Sequence, residues 1–168
     1  SLNDTVSVTG SAKVEVTADQ AKWTTQISRT VRESNLKGGY EQIARDLQIT
    51  KAFMQSQQIA DTELNVSPVS MNEVYQQNQS AEKLYSLTQI LTVSTMDVDR
   101  VTNASKNIAT VVGQNVIFSS LSLEYYYSKL PETRITLLSQ AIDDAKARAG
   151  EIAKNSGKRV GTLKSASS

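Results

Sequence analysis

The sequence predicts an α+β fold in which antiparallel sheets carry three packed helices, in the order β-β-α-β-β-α-β-α-β. Three observations support this. Stretches with alternating apolar residues come as neighbouring pairs joined by short polar segments, the pattern of antiparallel hairpins. Three longer stretches carry apolar residues at helical spacing instead. Strand pairs and helices are mixed rather than strictly alternating, which argues against a doubly wound parallel sheet. At 168 residues the chain suits one domain, or two small lobes sharing one core.

The first element spans Thr5 to Val16. Val6, Val8, Val14 and Val16 keep one parity, so this stretch reads as a strand pair or one bent strand. Gly10-Ser11 interrupts it, most simply as a bulge or kink. A turn at Thr17-Ala18-Asp19 leads into a strand from about Gln20 to Arg32, with Ala21, Trp23, Thr25, Ile27 and Val31 on one face. Ser34-Asn35 supplies a helix N-cap. Leu36, Tyr40, Ile43, Leu47, Phe53 and Met54 then form a helical stripe ending near Gln58. Gly38-Gly39 is costly at a helix start, about 1 kcal/mol each against Ala, which predicts either fraying or a close approach of another element.

Thr62 to Tyr75 alternates, and Pro68 makes it an edge strand or a broken one. A Gln-rich linker joins it to a long strand from Lys83 to Thr95, with Tyr85, Leu87, Leu91 and Val93 on one face. The two together predict a projecting hairpin. Asp97 caps a second helix, striped by Val98, Val101, Ile108 and Val111-Val112 and closed by Gly113. A strand from Val116 to Tyr127 follows, alternating through Leu121, Leu123, Tyr125 and Tyr127. Pro131 opens the last helix, where its missing N–H costs nothing. Ile135, Leu138, Ile142, Ala145, Ala149 and Ile152 run down one face, and Gly157 ends it. Val160 to Ser168 begins another strand that fades into small residues.

Composition narrows function by subtraction. With no Cys there is no disulfide, thiolate nucleophile or sulfur-ligated metal. With no His there is no Ser-His-Asp triad and no ordinary zinc site. A net charge of +1 exerts no general pull on nucleic acid or membrane. No apolar run approaches the ~20 residues that a membrane-spanning helix needs. No Gly-rich phosphate loop is present, and Ser34-Asn35-Leu36-Lys37 matches a Ser-x-x-Lys motif by spacing alone. The expectation is therefore no catalytic, cofactor-binding or metal-ligating residues.

The opening Val6-Ser7-Val8-Thr9-Gly10-Ser11-Ala12-Lys13-Val14-Glu15-Val16, followed by Ala18-Asp19-Gln20-Ala21, resembles the start of SIMPL-domain proteins. Ala141-Ile142-Asp143-Asp144-Ala145-Lys146-Ala147-Arg148-Ala149, then Ile152-Ala153 and Gly157-Lys158-Arg159-Val160-Gly161, resembles the end of that domain. The resemblance covers essentially the whole chain as a single SIMPL-like domain. Two departures stand out: Ala18 replaces the family's usual Pro, and the chain stops soon after Gly161. The resemblance implies an α+β fold and a bacterial periplasmic or cell-envelope setting, with a signal or membrane anchor upstream of Ser1 and further sheet beyond Ser168. It also implies homo-oligomers in some members and links to envelope or oxidative stress. It brings no catalytic residues.

The remaining features have plain structural readings. Asp143-Asp144 point about 100° apart on a helix, and Asp144 reaches Arg148 at i+4 as a surface pair. Asp97 and Asp99 are cap and helix-dipole partners. Tyr125-Tyr126-Tyr127 lacks the neighbouring cations of a base-stacking platform, so nucleic acid is not an expected partner. Tyr75, Tyr85, Tyr125 and Tyr127 are the candidate interaction surface. Residues 61–128 carry seven acidic and three basic side chains, against four and eight in 129–168, an asymmetry that favours head-to-tail contact between copies. The expected function is a non-enzymatic assembly or interaction module. The rivals are a periplasmic small-molecule or peptide binder using a helix–sheet groove, and a carboxylate-only hydrolase.

Overall fold

The computed structural model describes residues 4–10 and 13–157. The fold is α+β, with a two-stranded and a five-stranded antiparallel sheet. The chain divides into two compact units, Ser1–Ala18 with Tyr127–Ser168, and Asp19–Tyr126.

In the larger unit, β3 (Gln20–Arg32) is the central strand. It pairs along its length with β6 (Leu84–Thr95) on one side and with β7 (Ile117–Tyr126) on the other. The short strands β4 (Leu64–Val66) and β5 (Ser70–Val74) both pair with the far side of β6. Pro68 falls between them, where a missing N–H breaks no ladder bond. Ser67 bridges the gap: its N–H donates to the Ile90 carbonyl at 2.8 Å, and its hydroxyl accepts from the Ile90 N–H at 2.9 Å. The long hairpin predicted to project is therefore built into the sheet, with β6 in its interior.

The odd-numbered residues of β3 and β6 form the buried face. Ala21, Trp23, Thr25, Ile27, Leu87, Leu91 and Val93 are all buried there. Trp23 stacks edge-on against Phe118 with centroids 6.1 Å apart, and its indole N–H donates to the Ser120 hydroxyl at 2.7 Å. In β7 the predicted alternation slips. The register moves from Thr24↔Ser122 to Thr25↔Ser120, leaving Leu121 as a bulged residue. A bulge reverses side-chain parity, so Leu121 is 52% exposed while Phe118 turns inward.

Helix α1 (Leu36–Ser56) covers this face through Gly39, Ile43, Asp46, Thr50, Phe53 and Met54. The buried line differs from the predicted stripe: Tyr40 is exposed and Leu36 only half-buried. Gly39 explains the shift. A Cβ there would lie 2.2 Å from Val31 Cγ1, so only glycine lets the helix approach β3 this closely. Of the two alternatives the Gly pair left open, close approach is the correct one. Asn35 occupies the N-cap position but makes no side-chain cap hydrogen bond.

The second predicted helix is two. Helix α2 (Val98–Lys106) ends at Asn107, and α3 (Ala109–Val112) follows after Ile108. Asp97 caps α2 as predicted, accepting the Arg100 N–H at 3.1 Å.

In the smaller unit, β1 (Thr5–Thr9) and β2 (Lys13–Thr17) form a hairpin with Val6 opposite Val16 and Val8 opposite Val14. Gly10 therefore belongs to a strand-reversing turn rather than a bulge or kink. Helix α4 (Leu130–Ser156) follows, with Pro131 in its first turn and Gly157 at φ +72° beyond its end. Only Leu137 is buried along it, packed over Gly10 at 3.1 Å from where a Cβ would sit. Along the predicted stripe Ile135 is 65% and Ile152 69% exposed, while Ile142 and Ala149 are half-buried. The strand expected from Val160 lies outside the described residues.

Candidate interaction surface

One edge of the larger unit's sheet is formed by β4 and β5, and among the described residues β5 pairs with β6 on one side alone. Its sequence, Ser70-Met71-Asn72-Glu73-Val74, is exposed at every position but the last. An edge strand presents a row of unpaired N–H and C=O groups, a template for another strand. Natural sheets blunt such edges with lysine, proline or bulges; here Pro68 lies just before β5, and within it the only charge is Glu73.

Tyr75 continues the edge and is 81% exposed. It lines a shallow groove of about 310 Å³ with Gln76, Gln79 and Lys83. The adjoining turn is tied down by polar contacts. The Gln76 amide donates to the Glu82 carbonyl at 2.9 Å, and the Ser34 N–H donates to the Glu82 carboxylate at 2.9 Å. Hydrogen bonds from the Ser34 hydroxyl and backbone N–H hold the Glu82 carboxyl below its ordinary value.

The candidate tyrosines separate into different settings. Tyr85 is half-buried between Glu73 of β5 and Val31 of β3. Tyr125 sits at the other end of β3, opposite Ala21, and its hydroxyl is 2.9 Å from that of Thr102 in α2. That hydrogen bond makes Tyr125 a tie between sheet and helix. Tyr127 begins the smaller unit. Tyr75 thus continues the β5 edge, Tyr85 lies one strand in on β6, and Tyr125 is at the other end of β3. Tyr126 is the exposed ring of the Tyr125–Tyr127 run; its hydroxyl donates to Glu124 at 2.8 Å, and that carboxylate raises the Tyr126 pKa.

A second groove of about 660 Å³ lies at the Tyr125 end, lined by Lys22, Glu63, Met96, Asp97, Arg100 and Tyr126. Its carboxylates are engaged. Glu63 accepts the Ala60 N–H at 3.0 Å and a short hydrogen bond from the Thr95 hydroxyl. Asp97 holds Arg100 at 2.9 Å.

Sequence reasoning missed the strongest charged contact. Arg29 donates to Asp46 through Nε at 2.5 Å and Nη2 at 2.8 Å, and Nη2 also reaches the Asn115 carbonyl at 2.9 Å. Asp46 is buried, and its hydrogen bonds raise the Arg29 pKa. The signal was present in the periodicity: Arg29 shares the parity of Trp23 and Ile27, and Asp46 follows Ile43 by one helical turn. The pair joins β3, α1 and the loop before β7, a structural tie. Asp143 and Asp144 are exposed, and among the described residues Asp144 does not pair with Arg148. No group of three or more acidic side chains that could hold a metal occurs among the described residues. No helix there is long and apolar enough to cross a membrane.

No curated protein matches the chain. A solved structure described as an unknown protein from Galdieria sulphuraria is similar at 8% identity and a TM-score of 0.31, over 68% of this chain and 57% of that one. The chain therefore spans less than two thirds of that protein. The model of the SIMPL family, described as a protein of unknown function (DUF541), matches residues 6–168. With essentially its whole length matched, the chain belongs to the SIMPL family.

Proposed function

We propose that this protein is a non-enzymatic assembly or interaction module of the cell envelope. The observation that carries this reading is the β5 edge, unpaired on its outer side among the described residues, exposed from Ser70 to Glu73 and continued by Tyr75. A partner strand would take up the open N–H and C=O groups, and Met71 and Tyr75 would supply apolar contact. The periplasmic setting, the upstream anchor and the link to envelope or oxidative stress rest on the family resemblance alone. The absence of His and Cys and the engaged carboxylates support a non-catalytic role.

Met71→Lys tests the edge, because Met71 is 43% exposed and an edge lysine opposes strand pairing. The variant should keep its circular dichroism and lose solution mass by light scattering. An unchanged mass would remove β5 from the interface.

The groove at the Tyr125 end favours a second reading, a periplasmic small-molecule or peptide binder. Met96, 78% exposed there beside Lys22, would suit an amphipathic anion.

A further inference from the structure

The start of α1 is capped by a different element. The 3₁₀ turn Glu33–Asn35 runs straight into the helix, and the first N–H groups of a helical segment have no partner within it. Neither Asn35 nor Arg32 supplies a side-chain cap. The turn between β5 and β6 supplies the partners instead. The Glu33 N–H donates to the Lys83 carbonyl at 3.0 Å. The Ser34 N–H, at 2.9 Å, and the Ser34 hydroxyl both donate to the Glu82 carboxylate. A negative charge there also faces the positive end of the helix.

The same residue holds the end of the β5 edge. The Glu82 carbonyl accepts from the Gln76 carboxamide at 2.9 Å, and Gln76 directly follows Tyr75. Within the turn, the Asn78 side chain accepts from the Ser80 N–H at 3.1 Å and from its hydroxyl at 2.7 Å. The turn is therefore bonded within itself and tethered to α1 through Glu82 and Lys83. Glu82 is exposed, so the tether can open to water without unfolding the sheet beneath it.

We infer that Glu82 is a proton-operated latch: its carboxylate holds the β5–β6 turn on the start of α1, keeping the Tyr75 end of the β5 edge in place for a partner strand, and protonation releases it. This rests on the assembly reading and names a control on its interface. A neutral carboxyl is a weaker acceptor and loses its attraction to the helix start. A released turn must be ordered again on docking, a cost that a preformed edge avoids. Arg32, at the end of β3, favours the ionised form of Glu82. The other charges around it are Glu33 beside Ser34, and Glu73 of β5 with Lys83, which line the adjoining groove. Because its donors lower the Glu82 pKa, the latch is closed above the ordinary glutamate range and opens as pH falls through the folded value.

Hydrogen exchange followed by NMR on the whole chain reads the latch directly. In wild type the protection of the Ser34 amide should fall several-fold as pH drops below the ordinary glutamate range, with the Leu87 amide inside the sheet unchanged. Glu82→Ala should lose that protection already at neutral pH. Glu82→Gln keeps an acceptor oxygen, so it should lie between the two and show no fall on acidification. Light scattering then reads the edge. Wild type should lose mass over the pH range in which Ser34 opens, and Glu82→Ala should be smaller at neutral pH with its circular dichroism intact. Ser34 protection that ignores pH in wild type would overturn the latch. Opening at Ser34 with unchanged mass would overturn its control of the edge and leave the assembly reading standing. A wild-type monomer at neutral pH would overturn the assembly reading, and Ser34 alone would then decide the latch.

Discussion

Arg29 and Asp46 show how a single pair of side chains ties the larger unit together. Two parallel hydrogen bonds fix the guanidinium on the carboxylate, and a third reaches the Asn115 carbonyl. Asn115 itself sits at φ +64°, a conformation that Asn tolerates better than most residues. Removing one partner of a buried pair strands the other charge. Asp46→Ala should therefore cost about 3 kcal/mol, read as a lower urea midpoint, with Asp46→Asn costing less. A midpoint within error of wild type would show that Arg29 escapes to water. Arg29 keeps the parity of Trp23 and Ile27 and Asp46 follows Ile43 by one helical turn, but a stripe records where a side chain points and not which partner it finds.

At the scale of elements, the strands were the most legible part. Alternation located β3 and β6 and their inward residues, because period 2 fixes the face wherever one side is buried. It failed at Leu121, where a single inserted residue reverses parity and nothing in a run of Ser and Leu announces it. It also could not show that Asn107 splits the second helix, since Val101, Ile108 and Val111 keep helical spacing across the break. The turn between β5 and β6 depends on a charge. Glu82 accepts from Ser34 at the start of α1, so its carboxyl titrates lower in the folded chain than in the unfolded one. A depressed carboxyl pKa stabilises the fold above the unfolded value and loses that stabilisation as pH falls through the folded one. The fall in Tm on acidification below the ordinary glutamate range should accordingly be smaller in Glu82→Gln than in wild type. Equal falls would show that the contact does not persist in solution.

Among the described residues of the larger unit, the β5 edge is a surface that sheets usually pair or cover. The candidate site was legible in part. Tyr75 continues the β5 edge and Tyr85 lies one strand in, whereas Tyr125 is held by Thr102, a pairing that depends on distant residues meeting in space. The α4 stripe was visible as periodicity, but a stripe does not say what covers it. Backbone hydrogen bonding at the β5 edge predicts contacts that resist screening, whereas head-to-tail attraction between the acidic 61–128 and basic 129–168 segments would weaken with salt.

Light-scattering mass of the protein at low and high salt tests the assembly claim most directly. The account predicts one defined multimer at both ionic strengths. A monomer at both, at every concentration reached, would contradict it.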